Sequence, residues 1–249
     1  MTHWWESETA AKWWFSMEPL DEQVGGALLL GIETGIGKND KPTRREDPEW
    51  GDWRNKNENP TNRAPRLLYG YDKGRIRSRY RSRIATFLRL LDCPVDDPDK
   101  RTSFETALQS TNWLIQEKPS PTTTTAKDIA DGTPALLLVL KILRPRLILL
   151  LGTSLYHVMT QPEVLKQFSE VFGKFKNPEL VSSGPVGIRG KSCSFGYVEF
   201  DNLLVLAFPH PTGSRIADAQ VTGMPEGMLA IFKKALSPDG PWARRADKN

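Results

Sequence analysis

The sequence predicts an α/β fold, specifically a three-layer α/β/α sandwich with a mainly parallel central sheet. Apolar runs of strand length lead to this prediction, because they lack the alternation of a half-exposed strand and end in glycine or in a polar turn. Segments of helical pattern separate these runs, as in folds whose sheet is covered by helices on both faces. The runs cover residues 26–32, 144–152 and 203–208 of the 249 residues.

The first apolar run ends in a turn that carries an acid. We predict a strand over residues 26–32, and the turn that follows, from Gly31 to Gly35, contains Glu33. Ligands bind at the carboxyl ends of strands in open α/β sheets, so Glu33 is a candidate site residue. A carboxylate that merely caps the next element fits this stretch equally well.

A polar and basic insertion follows, at about residues 38–83. Its length without hydrophobic periodicity indicates a functional loop rather than a simple connection. Near its end, arginines alternate with other residues and no acid lies between them, which favours phosphate binding over a merely solvated helix end. The arginines assigned to this role are Arg75, Arg77, Arg79 and Arg81. Residues 84–91 then predict a helix.

The middle of the chain supplies a second polar residue and another buried strand. Residues 104–109 are predicted to be helical or extended and lead to Asn112. A helix is predicted from Pro134 to Ile142, because proline favours the first helical turn. The strand within residues 144–152 and two helices, at 154–159 and 163–172, follow.

The C-terminal part supplies the third polar residue. Residues 194–200 and 203–208 predict a hairpin around Asp201 and Asn202, and a final helix is predicted over residues 225–236. The second hairpin strand leads to His210, so we expect Glu33, Asn112 and His210 to line one crevice. A lone histidine after a strand is more often a satisfied turn residue. Its combination with the other two favours a function.

Composition indicates a single domain over residues 1–249, with 34 Lys and Arg against 30 Asp and Glu, a net charge of +4. The two cysteines, Cys93 and Cys193, are too few for a disulfide framework or a four-cysteine metal cluster, which favours a reduced, cytoplasmic protein. No stretch approaches the roughly 18–20 apolar residues of a membrane span, and the start of the chain lacks a signal-peptide pattern. We expect a monomer.

With these turns identified, the chain resembles the uracil-DNA glycosylase superfamily. The residues Gly31-Ile32-Glu33-Thr34-Gly35 look like its first motif, especially the Gly-Ile-Asn-Pro-Gly form of the thymine/mismatch-uracil branch. Thr111-Asn112 looks like the segment whose asparagine reads the flipped base. The stretch from His210 to Arg215 resembles the second motif, His-Pro-Ser followed by a wedge loop, and residues 144–152 are similar to the basic-Pro-basic strand that ends in Leu-Gly.

The resemblance covers about half of the chain and includes departures. Glu33 stands where those enzymes carry a catalytic Asn or Asp, and Thr34 replaces a proline. The four cysteines of the iron–sulfur branches are absent, so neither a cluster nor any other cofactor or metal is expected. The insertion matches nothing in the family. These departures concern the substrate more than the fold.

The resemblance implies a monofunctional DNA base glycosylase, which hydrolyses the N-glycosidic bond of a pyrimidine and leaves an abasic site. Glu33 would stabilise positive charge on the sugar and orient or deprotonate the attacking water. His210 would donate a hydrogen bond to the base oxygen, and Asn112 would contact the pairing edge of the base. The partner is duplex DNA with one nucleotide flipped out.

The remaining site residues follow from the same resemblance. Gly31, Ile32 and Gly35 would line the base, and Tyr69 and Tyr71 either stack on it or simply pack. Ser214 and Arg215 are candidates to fill the vacated position in the base stack.

Gly35 bears on the substrate, because the uracil-specific branch has a tyrosine there that excludes substituents at C5 of the base. We therefore expect a C5-modified pyrimidine. A bacterial anti-phage glycosylase that removes glucosylated hydroxymethylcytosine is a relative with that behaviour, and a role in phage defence is one expectation. Uracil or mismatched bases, as in conventional repair, are the conservative alternative.

Two other classes of function compete with a glycosylase. A catalytically inactive DNA-binding protein on the same fold would need no carboxylate near phosphates, so the combination of Glu33, Asn112 and His210 argues against it. A metal-dependent nuclease would need clustered acids or histidines at ligand spacing, and the sequence has neither pattern.

Overall fold

A computed structural model describes the residues that carry the sheet and its covering helices. The described residues are 26–32, 79–93, 95, 108–114, 124–182, 193–210, 224–237 and 240, with the backbone alone at 79–82, 108–112 and 182. Within these residues the chain forms one six-stranded mixed sheet.

The strands occur in the spatial order β2-β1-β3-β6-β5-β4. The first four in this order are parallel, whereas β5 is antiparallel to both β6 and β4. The predictions of an α/β fold, of a sheet that is parallel at its centre and of a β5–β6 hairpin are therefore confirmed. The strands are β1 (Ala27–Gly31), β2 (Leu108–Asn112), β3 (Leu147–Leu151), β4 (Glu179–Ser182), β5 (Ser194–Glu199) and β6 (Leu204–Phe208).

Six helices lie within the described residues, and four of them agree closely with the sequence prediction. The exceptions are α1, which begins at Arg79 and so includes the end of the arginine run, and α2, which was not predicted. Thr125 begins α2 with a capping box, in which its side chain and that of Asp128 each accept a backbone N–H. The helices are α1 (Arg79–Leu90), α2 (Ala126–Asp131), α3 (Thr133–Leu143), α4 (Thr153–Met159), α5 (Pro162–Phe172) and α6 (Glu226–Leu236).

Alternate residues of the central strands pack into two separate cores, one on each face of the sheet. Leu28 and Leu30 of β1 join the core that α2, α3, α4 and α5 cover. Ala27 and Leu29 join the core that α1 and α6 cover. Side chains alternate between the faces of a strand, so a continuous apolar run is what a strand covered on both sides requires. Helices therefore lie on both faces of the sheet.

The order of the strands creates a switch point between β1 and β3. From β1 the chain moves outward to β2 through α1 on one face, and it returns across β1 to β3 through α2 and α3 on the other face. The two connections run in opposite directions across the sheet. Both can be right-handed only if their helices lie on opposite faces, as they do here. A crevice at the carboxyl ends of the strands is expected where such connections diverge.

The hairpin turn between β5 and β6 holds the C-terminus of α5. Asp201 accepts a hydrogen bond from the backbone N–H of Lys174 at 2.8 Å, and the N–H of Asn202 donates to the carbonyl of Phe172 at 3.0 Å. Gly173 ends the helix with φ of 89°, a conformation that favours glycine. The turn predicted at Asp201 and Asn202 thus also terminates a helix.

Candidate functional site

The four parallel strands end in one row at the carboxyl edge of the sheet. Gly31 of β1 pairs with Asn112 of β2, and Leu151 of β3 pairs with Phe208 of β6. The two pairs are in register, because Leu30 pairs with Leu150 one residue earlier. With strands about 4.8 Å apart, the row from Asn112 to Phe208 is about 14 Å wide.

The β1–β2 side of this edge is held by the backbone and by a buried tryptophan. Beyond the last strand pair, the N–H of Trp113 donates to the carbonyl of Gly31 at 2.8 Å, and that of Leu114 to the carbonyl of Ile32 at 2.9 Å. Trp113 is fully buried, with its ring centroid 5.8 Å from that of Phe168. These contacts place the backbone of Asn112 directly beside the end of β1.

Ile32 packs on the core at the end of β1 and remains partly exposed. Its side chain is partly buried and packs against the core that α2 to α5 cover. The carbonyl oxygens of Gly31 and Ile32 both accept hydrogen bonds from the chain beyond β2. These two residues therefore shape the edge of the sheet, and they direct the chain toward Glu33, which lies outside the described residues.

The opposite side of the edge is the end of β6, which aromatic packing holds in place. The ring of Phe208 lies 5.1 Å from that of Phe87 of α1 and 5.1 Å from that of Phe232 of α6, between centroids. Pro209 is buried, and the partly buried His210 stands between two prolines, which restrict the backbone on both sides. His210 thus lies two residues beyond a strand end that is packed against two aromatic rings.

His210 lies against the point where the chain leaves β3. A Cβ built on Gly152 would be 3.6 Å from Cδ2 of His210 and 3.7 Å from Cβ of His210. The same Cβ would be 3.6 Å from the hydroxyl of Ser154, so Ser154 and His210 flank one glycine. Gly152 is buried and has φ of 148°. The site edge therefore combines a histidine from β6 with a glycine turn from β3.

Burial lowers the pKa of His210 below the usual 6.5, because desolvation disfavours the charged imidazolium. The ring is therefore neutral at pH 7. A neutral imidazole has one N–H donor and one acceptor nitrogen, so it can donate a hydrogen bond to an acceptor without placing a full positive charge in the crevice.

The structure brings part of the predicted site together. The backbone of Asn112, the end of β1 and the side chain of His210 share the carboxyl edge, although Asn112 and His210 come from strands at opposite sides of it. Arg79 and Arg81 lie in α1, on the other face of the sheet from α2 to α5. The predicted residues outside the described part of the chain are Glu33, Gly35, Tyr69, Tyr71, Arg75, Arg77, Ser214 and Arg215.

Gly152 and Ser154 were not predicted as site residues from the sequence. The local signal was a glycine directly after a buried strand and directly before a helix, which indicates a sharp turn at the functional edge of an α/β sheet. Without the register between β3 and β6, nothing in the sequence associates this glycine with His210.

Three further findings concern the class of protein. In the described ranges, no set of three or more His, Cys, Asp or Glu side chains is arranged to hold a metal ion. Among the helices that the structure describes, none has the length and apolar character needed to cross a bilayer. No protein-family model matches the chain, and no curated protein is significantly similar to it.

Proposed function

We propose that this protein is a DNA base glycosylase on a fold of the uracil-DNA glycosylase type, which flips out a pyrimidine and hydrolyses its N-glycosidic bond. The observation that carries the proposal is the shared edge of the sheet. Gly31, Asn112 and Phe208 end strands in one row. The segments that resemble the superfamily's three functional motifs lie at these strand ends or, for His210 to Arg215, two residues beyond.

The chemistry needs opposite charges to be stabilised on the two sides of the scissile bond. As the bond breaks, the sugar becomes cationic and the leaving base becomes anionic. Glu33 acts on the sugar side, where it stabilises the cation and orients or deprotonates water. The neutral His210 acts on the base side, where its N–H donates to the base oxygen as negative charge develops there. The reaction needs no metal.

Recognition of the base is assigned to Asn112, whose amide offers both a donor and an acceptor to the pairing edge of a pyrimidine. The pairing of Asn112 with Gly31 supports this role, because it locates the amide-bearing residue beside the strand that leads to Glu33. Arg75, Arg77, Arg79 and Arg81 bind backbone phosphates, and Ser214 and Arg215 occupy the vacated stack. Tyr69 and Tyr71 stack on the base.

The proposed substrate is a pyrimidine modified at C5, because Gly35 offers no side chain to exclude a C5 substituent. Removal of such a base from phage DNA would be a defence reaction. Uracil and mismatched thymine are the alternative substrates, and the same assay compares them.

The deciding experiment is abasic-site formation in EDTA. The duplexes carry uracil, thymine opposite guanine, 5-hydroxymethylcytosine or its glucosylated form. We expect release of one of these bases by the wild-type protein. Glu33→Gln should lose at least about a hundredfold in turnover while it retains DNA affinity, since removal of a transition-state interaction lowers turnover and not ground-state binding.

A matched pair of histidine variants tests the base side of the site. His210→Gln should reduce turnover by about ten- to a hundredfold, whereas His157→Gln, which alters an exposed histidine of α4, should not. Absence of release from every duplex, with DNA still bound, would favour a binding protein. Strand cleavage that appears only when a divalent metal is added would favour a nuclease.

A further inference from the structure

The turn that ends β3 contains a glycine in a backbone conformation that favours glycine. Gly152 follows the last residue of β3, and α4 begins at the next residue. The carbonyl of Gly152 already accepts the N–H of Leu155 at 3.2 Å in the first turn of that helix. With φ of 148° and ψ of 132°, Gly152 occupies a region that side-chain-bearing L-residues rarely adopt.

The end of β6 passes alongside this turn. Leu151 pairs with Phe208. Just beyond this pair, Gly152 of the β3 exit lies near His210 of the β6 exit. There Gly152 lies beside the imidazole, close enough that an added Cβ would be 3.6 Å from Cδ2 of His210. Phe208 packs against the rings of Phe87 and Phe232 on one face of the sheet, so β6 has little freedom to follow if the turn moves.

We propose that Gly152 is a positioning residue for His210: its backbone conformation, which residues with a side chain rarely adopt, brings the exit of β3 beside the imidazole and so determines where the ring lies. Space alone does not explain the need for glycine, because an added Cβ would make ordinary contacts of 3.6–3.7 Å. The constraint is the backbone. An alanine would rotate the turn toward an allowed conformation and thereby move the backbone that lies beside the ring of His210.

The contact itself does not depend on the proposed glycosylase activity, although its effect on turnover does. The test therefore begins with NMR of the full-length wild-type protein. The ring proton on Cδ2 of His210, assigned with the His210→Gln variant, should show a nuclear Overhauser effect to the Hα protons of Gly152. Absence of this effect in a well-resolved spectrum would overturn the proposal, whether or not any variant folds.

The second arm compares Gly152→Ala with Gly227→Ala. Gly227 is a matched control, because a Cβ there meets nothing within 4 Å. In Gly152→Ala, the pKa of His210 measured by NMR titration should rise toward its ordinary value of 6.5, since the displaced ring is better solvated. In Gly227→Ala it should stay at the wild-type value. An unchanged His210 titration in folded Gly152→Ala would overturn the proposal.

The third arm separates this inference from the proposed function. If the wild-type protein releases a base, Gly152→Ala should lower turnover about tenfold or more with DNA affinity within about twofold, because misplacement of a reacting group affects the transition state. Base release by wild type together with normal turnover of Gly152→Ala would refute the positioning role alone. No release by wild type would refute the proposed function, and the NMR results would still decide the contact.

Discussion

The imidazole of His210 lies beside Gly152, although the two residues belong to different strand exits. A Cβ on Gly152 would lie 3.6 Å from Cδ2 of His210. This close approach lies at the edge where β1 and β2 also end, and the ring is partly buried there. The consequences for charge, stability and DNA binding can each be measured.

The pH dependence of stability should report the burial of His210. Its pKa in the folded protein is below the ordinary 6.5. At a pH between the pKa of His210 in the folded protein and the ordinary 6.5, the unfolded chain binds a proton that the folded protein does not. The free energy of unfolding should therefore fall as the pH decreases below 6.5. When urea unfolding is measured at pH 7.5 and 5.0, the free energy of unfolding should decrease less between these pH values for His210→Gln than for wild type. Equal losses in both proteins would contradict the neutral, partly buried ring.

The turn after α5 should not tolerate a side chain at Gly173. A Cβ there would lie 2.5 Å from Oδ2 of Asp201, in addition to the cost of the positive φ. Gly173→Ala should therefore reduce the free energy of unfolding by about 1–3 kcal/mol. The control, Gly227→Ala in α6, should match wild type or exceed it by up to about 1 kcal/mol. Similar urea midpoints for the two variants would show that the turn adjusts at no cost.

The basic end of the insertion should carry the salt dependence of DNA binding. Replacement of Arg77, Arg79 and Arg81 with alanine should weaken binding to all sequences. It should also reduce the slope of log affinity against log salt by about 0.9 for each phosphate that the variant no longer neutralises. A slope equal to that of wild type would rule out phosphate binding by these arginines.

A charge-matched variant controls for the change in net charge. Replacement of Lys127, Lys141 and Lys166 removes the same charge from exposed positions on α2, α3 and α5, the helices of the opposite face. This variant should bind DNA with a slope close to that of wild type. If both triple variants lose affinity equally, net charge governs DNA binding, and the positions of Arg77, Arg79 and Arg81 do not.

The two cysteines should be inert in the folded protein. Cys93 and Cys193 are both buried, and burial raises the pKa of Cys93 to about 12, with a further contribution from Asp92. The thiolate is the reactive form, so a disulfide reagent at pH 8 should label neither thiol rapidly. In urea, two thiols per chain should react. Rapid labelling without urea would mean that one cysteine opens to solvent in the native state.

Local pattern predicted most of the elements because their signals are local. Apolar runs identified β1, β3 and β6, and helical pattern identified α3 to α6, with Pro134 as a further signal for the start of α3. Two elements were missed. The six residues of α2 are too few for periodicity to be visible, although the Thr125–Asp128 capping box was a signal. The exposed β4 is a strand only through its pairing with β5.

The candidate site was likewise predictable only in part from the sequence. His210 was predictable as a polar residue beyond a buried strand, and Asn112 as a polar residue in a segment that resembles a base-reading motif. The partner of His210 was not predictable, because Gly152 is distant in sequence and its contact depends on how two parallel strands align. A shift of one residue in the β3–β6 register would have placed a different residue beside the ring.

The sequence by itself determined which segments become strands buried on both faces and which polar residues follow them, because hydrophobic pattern and turn chemistry act over a few neighbouring residues. Only the tertiary structure decided the strand order, the common row of strand ends and the position of His210 beside Gly152. These are properties of pairing between distant segments. Their free energy comes from two cores that exist only when the helices pack on both faces of the assembled sheet.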